Sequence, residues 1–477
     1  MNCKAAARIH DYDTRLVPWD SLKPVLEEAA QLAQETAQLV TGWRWTEAQT
    51  ARARLPGCLG GLGLRLLDRE EMAAAAHLAT WQHHAREVPR LAKQAGLAIG
   101  QLAGKEEAER CKAKLQAMGV SVDTDGAARF DEERKKVWQS SPWAEDRQAD
   151  DLAKEENWEQ EQATSEDTTR PRRVLGRIWR HIEALDAARV QTQLDTDEAD
   201  IALDCGGQGA GGIWASAMQG GGLEKEDIAP VWFDDSHVWA ATQARMVALR
   251  PKPGETCQLR TAGTDHQCGK PLGTKAQHLW SCSIGPARQR AHKHLELAVQ
   301  KMCTSSGAHV DLERPVPSLA KVTAGGDIEE AVLDDVVAWP GIPRSFCLDV
   351  TVRQPAAKRY AKGGGIEPAL NAAAQEKLKR YGPLVQCIAV GAFGRIAKAT
   401  QEHLGVLACT AAASGGGAEQ ASQLLKQWKP YLQKVVIWSQ ADVIILATGG
   451  KVASTQWHLL ASAAKRAHSS ASMSSAA

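Results

Sequence analysis

The sequence predicts an α+β protein: a mainly helical N-terminal half, a small zinc module, then an α/β domain on a short mixed sheet. Three observations predict it. Apolar residues recur at helical spacing through the first part of the chain, a Cys/His group gathers between Cys257 and Cys282, and two short β-like apolar runs follow Ala331. A chain of 477 residues suggests two to four compact units. The expected divisions are 1–125, helical; 126–200, a charged linker or solvated helix; 201–250, a helical connector; 251–294, the zinc module; 295–450, the α/β domain; and 451–477, a partly disordered tail.

In the N-terminal half, Leu22, Val25, Leu26, Ala29 and Leu32 recur at three- and four-residue steps, which predicts a helix within 20–50. Leu55-Pro56-Gly57 and Gly60-Gly61-Leu62-Gly63-Leu64 break that pattern before an Ala-rich helix running to Leu91. Residues 145–167 hold ten acidic and two basic side chains with little apolar backing, a composition expected to stay solvated. Arg170, Arg172, Arg173, Arg177 and Arg180 then form a basic stretch, and a glycine-rich break from Gly206 to Gly212 precedes Trp214. The Ser/Ala-rich end from about residue 466 is expected to fray.

Composition narrows the function classes. Lys plus Arg equals Asp plus Glu at 57 each, so no global field draws the chain to nucleic acid, and any such attraction must be regional. No apolar run approaches the roughly 18 residues of a membrane span. The opening MNCKAAARIHDYD is too polar for a secretion signal, which predicts an intracellular protein. Eleven irregularly spaced cysteines do not suit a secreted disulfide framework, so clustered ones are better read as metal ligands.

Cys257, Cys268, His278 and Cys282 follow the spacing C-x10-C-x9-H-x3-C. Three thiolates and an imidazole suit a closed tetrahedral zinc site, which stabilises a segment too short for its own core. Gly254, Gly263, Gly269 and Gly273 supply turns, and one helical turn would present His278 and Cys282 to a single ion. Unrelated cysteines with a surface histidine fit the same spacing equally well, and His266 beside Asp265 is a rival ligand.

Beyond this module, Val332–Val337 and Phe346–Val352 read as strands joined by the turn Pro340-Gly341-Ile342-Pro343. Alternation puts Phe346, Leu348, Val350 and Val352 on one face and Asp349 and Thr351 on the other. A carboxylate in the middle of an apolar strand is costly unless it is paired, protonated or metal-bound. If the strands are neighbours, Asp334 and Asp349 can share a Mg²⁺ ion; if both simply face solvent, they carry no chemistry. A helix over about 367–380 sets Leu370, Ala374, Lys377 and Tyr381 on one stripe, turning Lys377 inward and Lys379 outward. An inward lysine can steady a phosphate or an attacking water, or merely snorkel past apolar neighbours. Between 351 and 380, seven basic residues (Arg353, Lys358, Arg359, Lys362, Lys377, Lys379, Arg380) stand against Glu367 and Glu376, which suits phosphate contact or a solvated face. A third run, Leu384 to Val390, would extend the sheet, with helices after Phe393 and from about Gln420.

In this order the elements resemble the C-terminal part of non-LTR retrotransposon polyproteins that carry a restriction-like endonuclease. The likeness starts at Leu55–Leu64, similar to the segment after the reverse transcriptase thumb, and continues through Gly209–Trp214. It takes in Cys257, Cys268-Gly269, His278 and Cys282 as the family's CCHC module, and His292 near its Arg-His pair. Leu333-Asp334-Asp335-Val336-Val337 resembles the family's Arg-Pro-Asp-Asp-Val-Val, Leu348–Val352 its second acidic strand, and Lys377 with Tyr381 its Lys-x-x-x-Tyr. Val332-Leu333 stands where the family has Arg-Pro, and Ala291 where it has the Arg before His292. No Tyr-x-Asp-Asp polymerase motif is present; Phe233-Asp234-Asp235 is not one.

The resemblance implies Mg²⁺-dependent nicking of target DNA to prime reverse transcription, in the nucleus, with the polymerase and possibly the element RNA supplied from elsewhere. Asp334 and Asp349 are then the Mg²⁺ ligands and Lys377 the displaced lysine. Glu313 is the third acid, with Glu296 as fallback. Arg290, His292, Arg353, Lys358, Arg359, Lys379 and Tyr381 are candidate nucleic-acid contacts. A catalytically inactive nucleic-acid-binding remnant of the same element is the alternative.

Overall fold

The computed structural model describes residues 19–41, 44–56, 59–62, 64, 70–98, 100, 104–122, 128–139, 170–194, 196–206, 235–246, 248–261, 264, 266–276, 278–279, 282, 284, 287–322, 325–354, 366–414 and 418–450. It is a mixed α/β structure, largely helical, with one small four-stranded mixed sheet. No helix among the described residues is long and apolar enough to cross a membrane. The chain forms two compact units, Met1–Pro56 with Gly61–Leu194, and Gly57–Gly60 with Asp195–Ala477.

The first unit contains helices α1 (Trp19–Thr41), α2 (Glu47–Arg54), α3 (Glu70–Gln94) and α4 (Lys105–Ala117). An antiparallel pair β1 (Val120–Val122) and β2 (Ala128–Phe130) follows, then α5 (Glu132–Gln139) and α6 (Arg170–Gln191). A capping box opens α2: Thr46 Oγ1 accepts from Gln49 N, and the Gln49 side chain accepts from Thr46 N. Ala74, Ala75, Ala76, Leu78 and Ala79 of α3 pack with Leu115 of α4, Val120 and Val122 of β1, and Ile178 and Ile182 of α6. Part of the segment expected to be linker is therefore a core helix, because Ile178 and Ile182 stand one turn apart on its apolar face. Residues 145–167 lie outside the described residues, as do the glycine-rich break after Gly206, Trp214, Phe233 and the C-terminal tail. On α1, Leu26 is buried, but Val25 and Leu32 of the same predicted stripe are exposed.

The second unit begins with α7 (Thr196–Asp204) and α8 (Asp235–Arg245), followed by a loop-rich segment and α9 (Ala287–Ser305). Strand β3 (His309–Pro315) and the short hairpin β4 (Lys321–Val322) and β5 (Ile328–Glu329) lead to β6 (Val332–Ala338) and β7 (Ser345–Arg353). Helix α10 (Ile366–Tyr381), β8 (Val385–Gly391), α11 (Lys398–Ala413) and α12 (Ala418–Ala447) complete it. The main sheet has the order β3-β6-β7-β8. Its first three strands are antiparallel, and β8 runs parallel to β7. That last pairing needs a crossover, which α10 supplies. The β6–β7 turn closes with Ile342 N donating to Trp339 O, and Gly341 takes the left-handed φ of +76° that the turn requires.

Phe346, Leu348 and Val350 are buried on one face of β7, as alternation predicts, with Val352 half-buried beside them. They join Leu295, Val299 and Met302 of α9, Leu404 and Leu407 of α11, and Trp428, Leu432 and Val436 of α12 in the main core. Two buried polar contacts tie helices to α12: His237 Nε2 lies 2.8 Å from Asp442 Oδ1, and His294 Nδ1 lies 2.7 Å from Ser439 Oγ. A smaller cluster, Ala331, Leu333, Tyr381 and Val385, seals the junction of α10 with the sheet.

Candidate metal centre and acidic cluster

Two antiparallel bridges, Thr256↔Pro271 and Arg260↔Gln267, fold residues 256–271 into a ribbon that brings Cys257 and Cys268 together. Cys257 N donates to Lys270 O, and Cys268 N to Leu259 O, both at 2.8 Å. His278 and Leu279 are helical, and Cys282 lies a few residues further on, outside any described helix. One donor atom from each of Cys257, Cys268, His278 and Cys282 lies within 4.8 Å of the others. Cys268 Sγ is 3.1 Å from His278 Nε2, and Cys282 Sγ is 3.7 Å from Cys268 Sγ and 3.9 Å from Cys257 Sγ. Burial, with the neighbouring thiols adding to it, pushes Cys257 up to about 12; a bound cation would favour the thiolate instead. The set can hold one metal ion of the zinc class. The rival His266 is exposed and stands outside the cluster. Gln258 N donates to Ala447 O at 2.9 Å, which fastens the ribbon to the end of α12.

Some ten residues after Cys282, α9 carries the first members of a second cluster. His292 and Glu296 stand four apart and so share one side of the helix. Asp334 on β6 joins them, with one ligand atom from each of the three within 4.8 Å of the others. Asp334 Oδ1 lies 3.3 Å from His292 Nε2, and Asp334 Oδ2 accepts from Val350 N at 2.7 Å. Asp349, from the neighbouring strand, lies 2.6 Å from Lys377 Nζ of α10 through its Oδ1. Asp334, Asp349 and Lys377 thus converge, each delivered by a different element.

The electrostatics follow from burial. Burial and then the charge of Asp334 lift Asp349 to about 6, although Lys377 opposes them. Burial also acts on Asp334, but the His292 contact, the Val350 N–H and Lys377 outweigh it and hold this carboxyl below its usual range. The Asp334 hydrogen bond raises His292, and burial raises Glu296 against Lys293. Asp335, the next residue on β6, is fully buried, with neither oxygen hydrogen-bonded among the described residues. Burial raises its pKa well above the usual carboxylate value, and the charges of Glu296 and Asp334 add to that.

No protein-family model matches the chain, and no curated protein or solved structure does either.

The remaining candidates are distributed differently. Glu313 sits on β3 at a φ of +48°, its side chain 66% exposed, and accepts from Lys293 Nζ at 2.8 Å rather than reaching the interior. Glu296 occupies the inner position, 2.5 Å from the same Lys293 Nζ, and adjoins Asp334. Arg353 pairs with Glu376 at 2.7 Å, Arg290 and Lys379 are exposed, and Lys358 and Arg359 lie outside the described residues. Tyr381 is buried with Leu333 and Val385, its ring beneath the Arg380 guanidinium, so it serves the core instead of an outward surface. Glu296 stands behind Glu313 in the sequence pattern despite its four-residue spacing from His292, and nothing local in the sequence sets Asp335 apart from Asp334.

Proposed function

We propose that 295–450 is a divalent-metal-dependent DNA-nicking domain of restriction-endonuclease type, within a chain derived from the C-terminal region of a non-LTR retrotransposon polyprotein. The observation that carries this reading is the convergence of Asp334, Asp349 and Lys377, with Lys377 Nζ 2.6 Å from Asp349 Oδ1. The helix stripe and the two strand aspartates come together at one place, as a phosphodiester hydrolase needs. The donor chemistry suits a cation: two adjacent carboxylates, Asp349 buried and Asp334 half-buried, repel each other, and that repulsion contributes to the rise of Asp349.

A Mg²⁺ ion held by Asp334 and Asp349 would supply Lewis acidity to the phosphoryl oxygen and lower the pKa of a bound water. Lys377 positions a phosphate oxygen through its ammonium, 2.6 Å from Asp349 Oδ1. Asp349, ionised at neutral pH, orients the attacking water and accepts its proton. The water oxygen bonds to phosphorus, the bond to the 3′ oxygen breaks, and the departing oxygen takes up a proton. A free 3′ hydroxyl remains for a polymerase on another chain to extend. Arg290 and Lys379 are exposed and suit contact with the DNA backbone. On this reading the chain acts in the nucleus on target DNA and possibly on element RNA.

A second reading, a nucleic-acid-binding remnant without chemistry, is favoured by one fact: the Cys/His cluster is assembled from residues other than the acids. Supercoiled plasmid separates the two. Nicking by the wild-type chain in Mg²⁺ that disappears in Asp349→Asn supports the nuclease, whereas gel retardation without nicking supports the remnant.

A further inference from the structure

The acidic cluster contains an imidazole, and that bears on which ion it takes. His292 and Glu296 lie one helical turn apart on α9, and Asp334 comes to meet them from β6. Ligands of one ion bound at about 2.1 Å stand about 3.0–3.4 Å from each other, depending on the coordination geometry. The 3.3 Å between His292 Nε2 and Asp334 Oδ1 already falls in that interval. Glu296 is buried, and its donor atom lies within 4.8 Å of the other two. Rotation of its side chain away from Lys293 would bring it to the same centre, and Lys293 keeps Glu313 as a partner.

A second observation points to a cation. Asp335 and Asp349 are also buried, so four carboxylates (Glu296, Asp334, Asp335, Asp349) crowd this region against Lys293, Lys377 and His292. Neither oxygen of Asp335 has a hydrogen-bond partner among the described residues. Neutralising this group is costly from protein atoms alone and natural for a divalent ion.

We infer that His292, Glu296 and Asp334 bind one divalent transition-metal ion, of which Mn²⁺ is representative, in preference to Mg²⁺. Mg²⁺ is a hard ion that favours oxygen and parts with water reluctantly, so an imidazole gives it little. Mn²⁺ accepts carboxylates and imidazole together, and one nitrogen among oxygen donors discriminates between the two ions. The inference deepens the proposed function and rests on it for what the ion does; binding itself is a separate question.

The test uses the full chain with zinc in its Cys/His site. Titration with MnCl₂, followed by the loss of the free-ion EPR signal, is expected to show one bound Mn²⁺ per chain. Electron spin-echo modulation of that ion should carry the imidazole nitrogen-14 signature. His292→Asn should abolish the signature and weaken Mn²⁺ by at least about tenfold, the lower end of what losing even an outer partner of a ligand costs. Mg²⁺ binding, read by competition, should stay unchanged. Glu296→Gln should weaken Mn²⁺ while keeping the nitrogen modulation of whatever ion remains bound. Absence of Mn²⁺ binding by the wild-type chain, a bound ion without nitrogen modulation, or equal losses for Mn²⁺ and Mg²⁺ in His292→Asn would overturn the assignment. Nitrogen-coordinated Mn²⁺ in a chain that never nicks plasmid upholds the ion and removes the nuclease. Undiminished Mg²⁺-dependent nicking together with unchanged Mn²⁺ affinity in His292→Asn does the reverse.

Discussion

Val350 N donates to Asp334 Oδ2 at 2.7 Å, just past the point where the β6–β7 pairing, which runs from Ala338↔Ser345 to Asp335↔Leu348, stops. A side chain has taken the place of a ladder carbonyl. The strands part there, and the gap is filled by the carboxylate on which the proposed chemistry turns.

That substitution predicts a difference between two variants. Asp334→Ala leaves the Val350 N–H without its acceptor, at a cost of about 1–3 kcal/mol for a buried donor. Asp334→Asn keeps a carbonyl oxygen in reach and should cost clearly less. Urea denaturation of both variants measures this, and equal losses would show that the hydrogen bond contributes nothing.

The Cys/His cluster makes a prediction that does not involve the acids. Gel-filtered wild-type chain should carry one zinc, Cys268→Ser should carry none, and Asp349→Asn should keep its metal, as read by elemental analysis. Chelation should also lower the melting temperature of the second unit, because residues 256–271 have two bridges and little core of their own. A zinc content unchanged in Cys268→Ser would remove that residue from the ligand set.

What was legible in the sequence was local. Strict alternation from Phe346 to Val352 marks the face of β7 that enters the main core, and spacings of three and four put Lys377 on the inner stripe of α10. The choice between Glu313 and Glu296 was not local. Both are acids near the start of the α/β domain, and only the packing of α9 against the sheet brings Glu296 inside and leaves Glu313 at the rim. The doublet Asp334-Asp335 was ambiguous for a related reason: alternation says the two face opposite ways, but not which one faces a core. The link between His237 and Asp442 joins helices 205 residues apart, and no periodicity reports such a contact.

Asp204 gives a pH prediction. Its carboxyl is fully buried at the end of α7 and accepts from Phe393 N and Arg395 N, both at 3.0 Å. Burial lifts it to about 7, despite those two donors and the charge of Arg395. The raised folded value means that the native state keeps a proton the unfolded chain loses near pH 4. This contribution is therefore fully present below about pH 4 and is lost as pH rises through 7. At about 1.4 kcal/mol for each tenfold change in proton affinity, the effect is on the order of a few kcal/mol. Asp204→Asn should flatten the stability profile between pH 4 and 7, measured by urea denaturation in a series of buffers. A slope identical to wild type would refute the assignment.

Lys377 should govern the protonation of Asp349. With the ammonium removed in Lys377→Met, burial and the Asp334 charge, which both raise the Asp349 value, are left largely unopposed. Asp349 should then be largely protonated at pH 7. Infrared difference spectra of wild type and variant should show a new carboxylic-acid band, absent when Asp349→Asn is added. Plasmid nicking, if the wild-type chain has it, should be lost with it. No new band would mean that Lys377 does not set the charge of the cluster.

Gly391 packs so closely on Asp204 that the two positions should be energetically coupled. A Cβ built on Gly391 would lie 1.9 Å from Asp204 Oδ1 and 2.6 Å from its Cγ, closer than any real contact. Gly391 is also held on both sides. It pairs with Arg353 at the end of the β7–β8 ladder, and its own N–H donates to Arg395 O at 2.7 Å. The strand cannot retreat without breaking those links, so in Gly391→Ala the carboxyl must withdraw from Phe393 N and Arg395 N. Overpacking of this kind costs about 1–3 kcal/mol, and each orphaned N–H adds about as much again. In an Asp204→Ala background the clash is already gone and both N–H groups are already unpaired, so the same alanine should cost much less. A coupling of at least about 1 kcal/mol between the two substitutions is therefore expected from a double-mutant cycle. Strict additivity would mean that the contact is relieved by a route other than displacement of the Asp204 carboxyl.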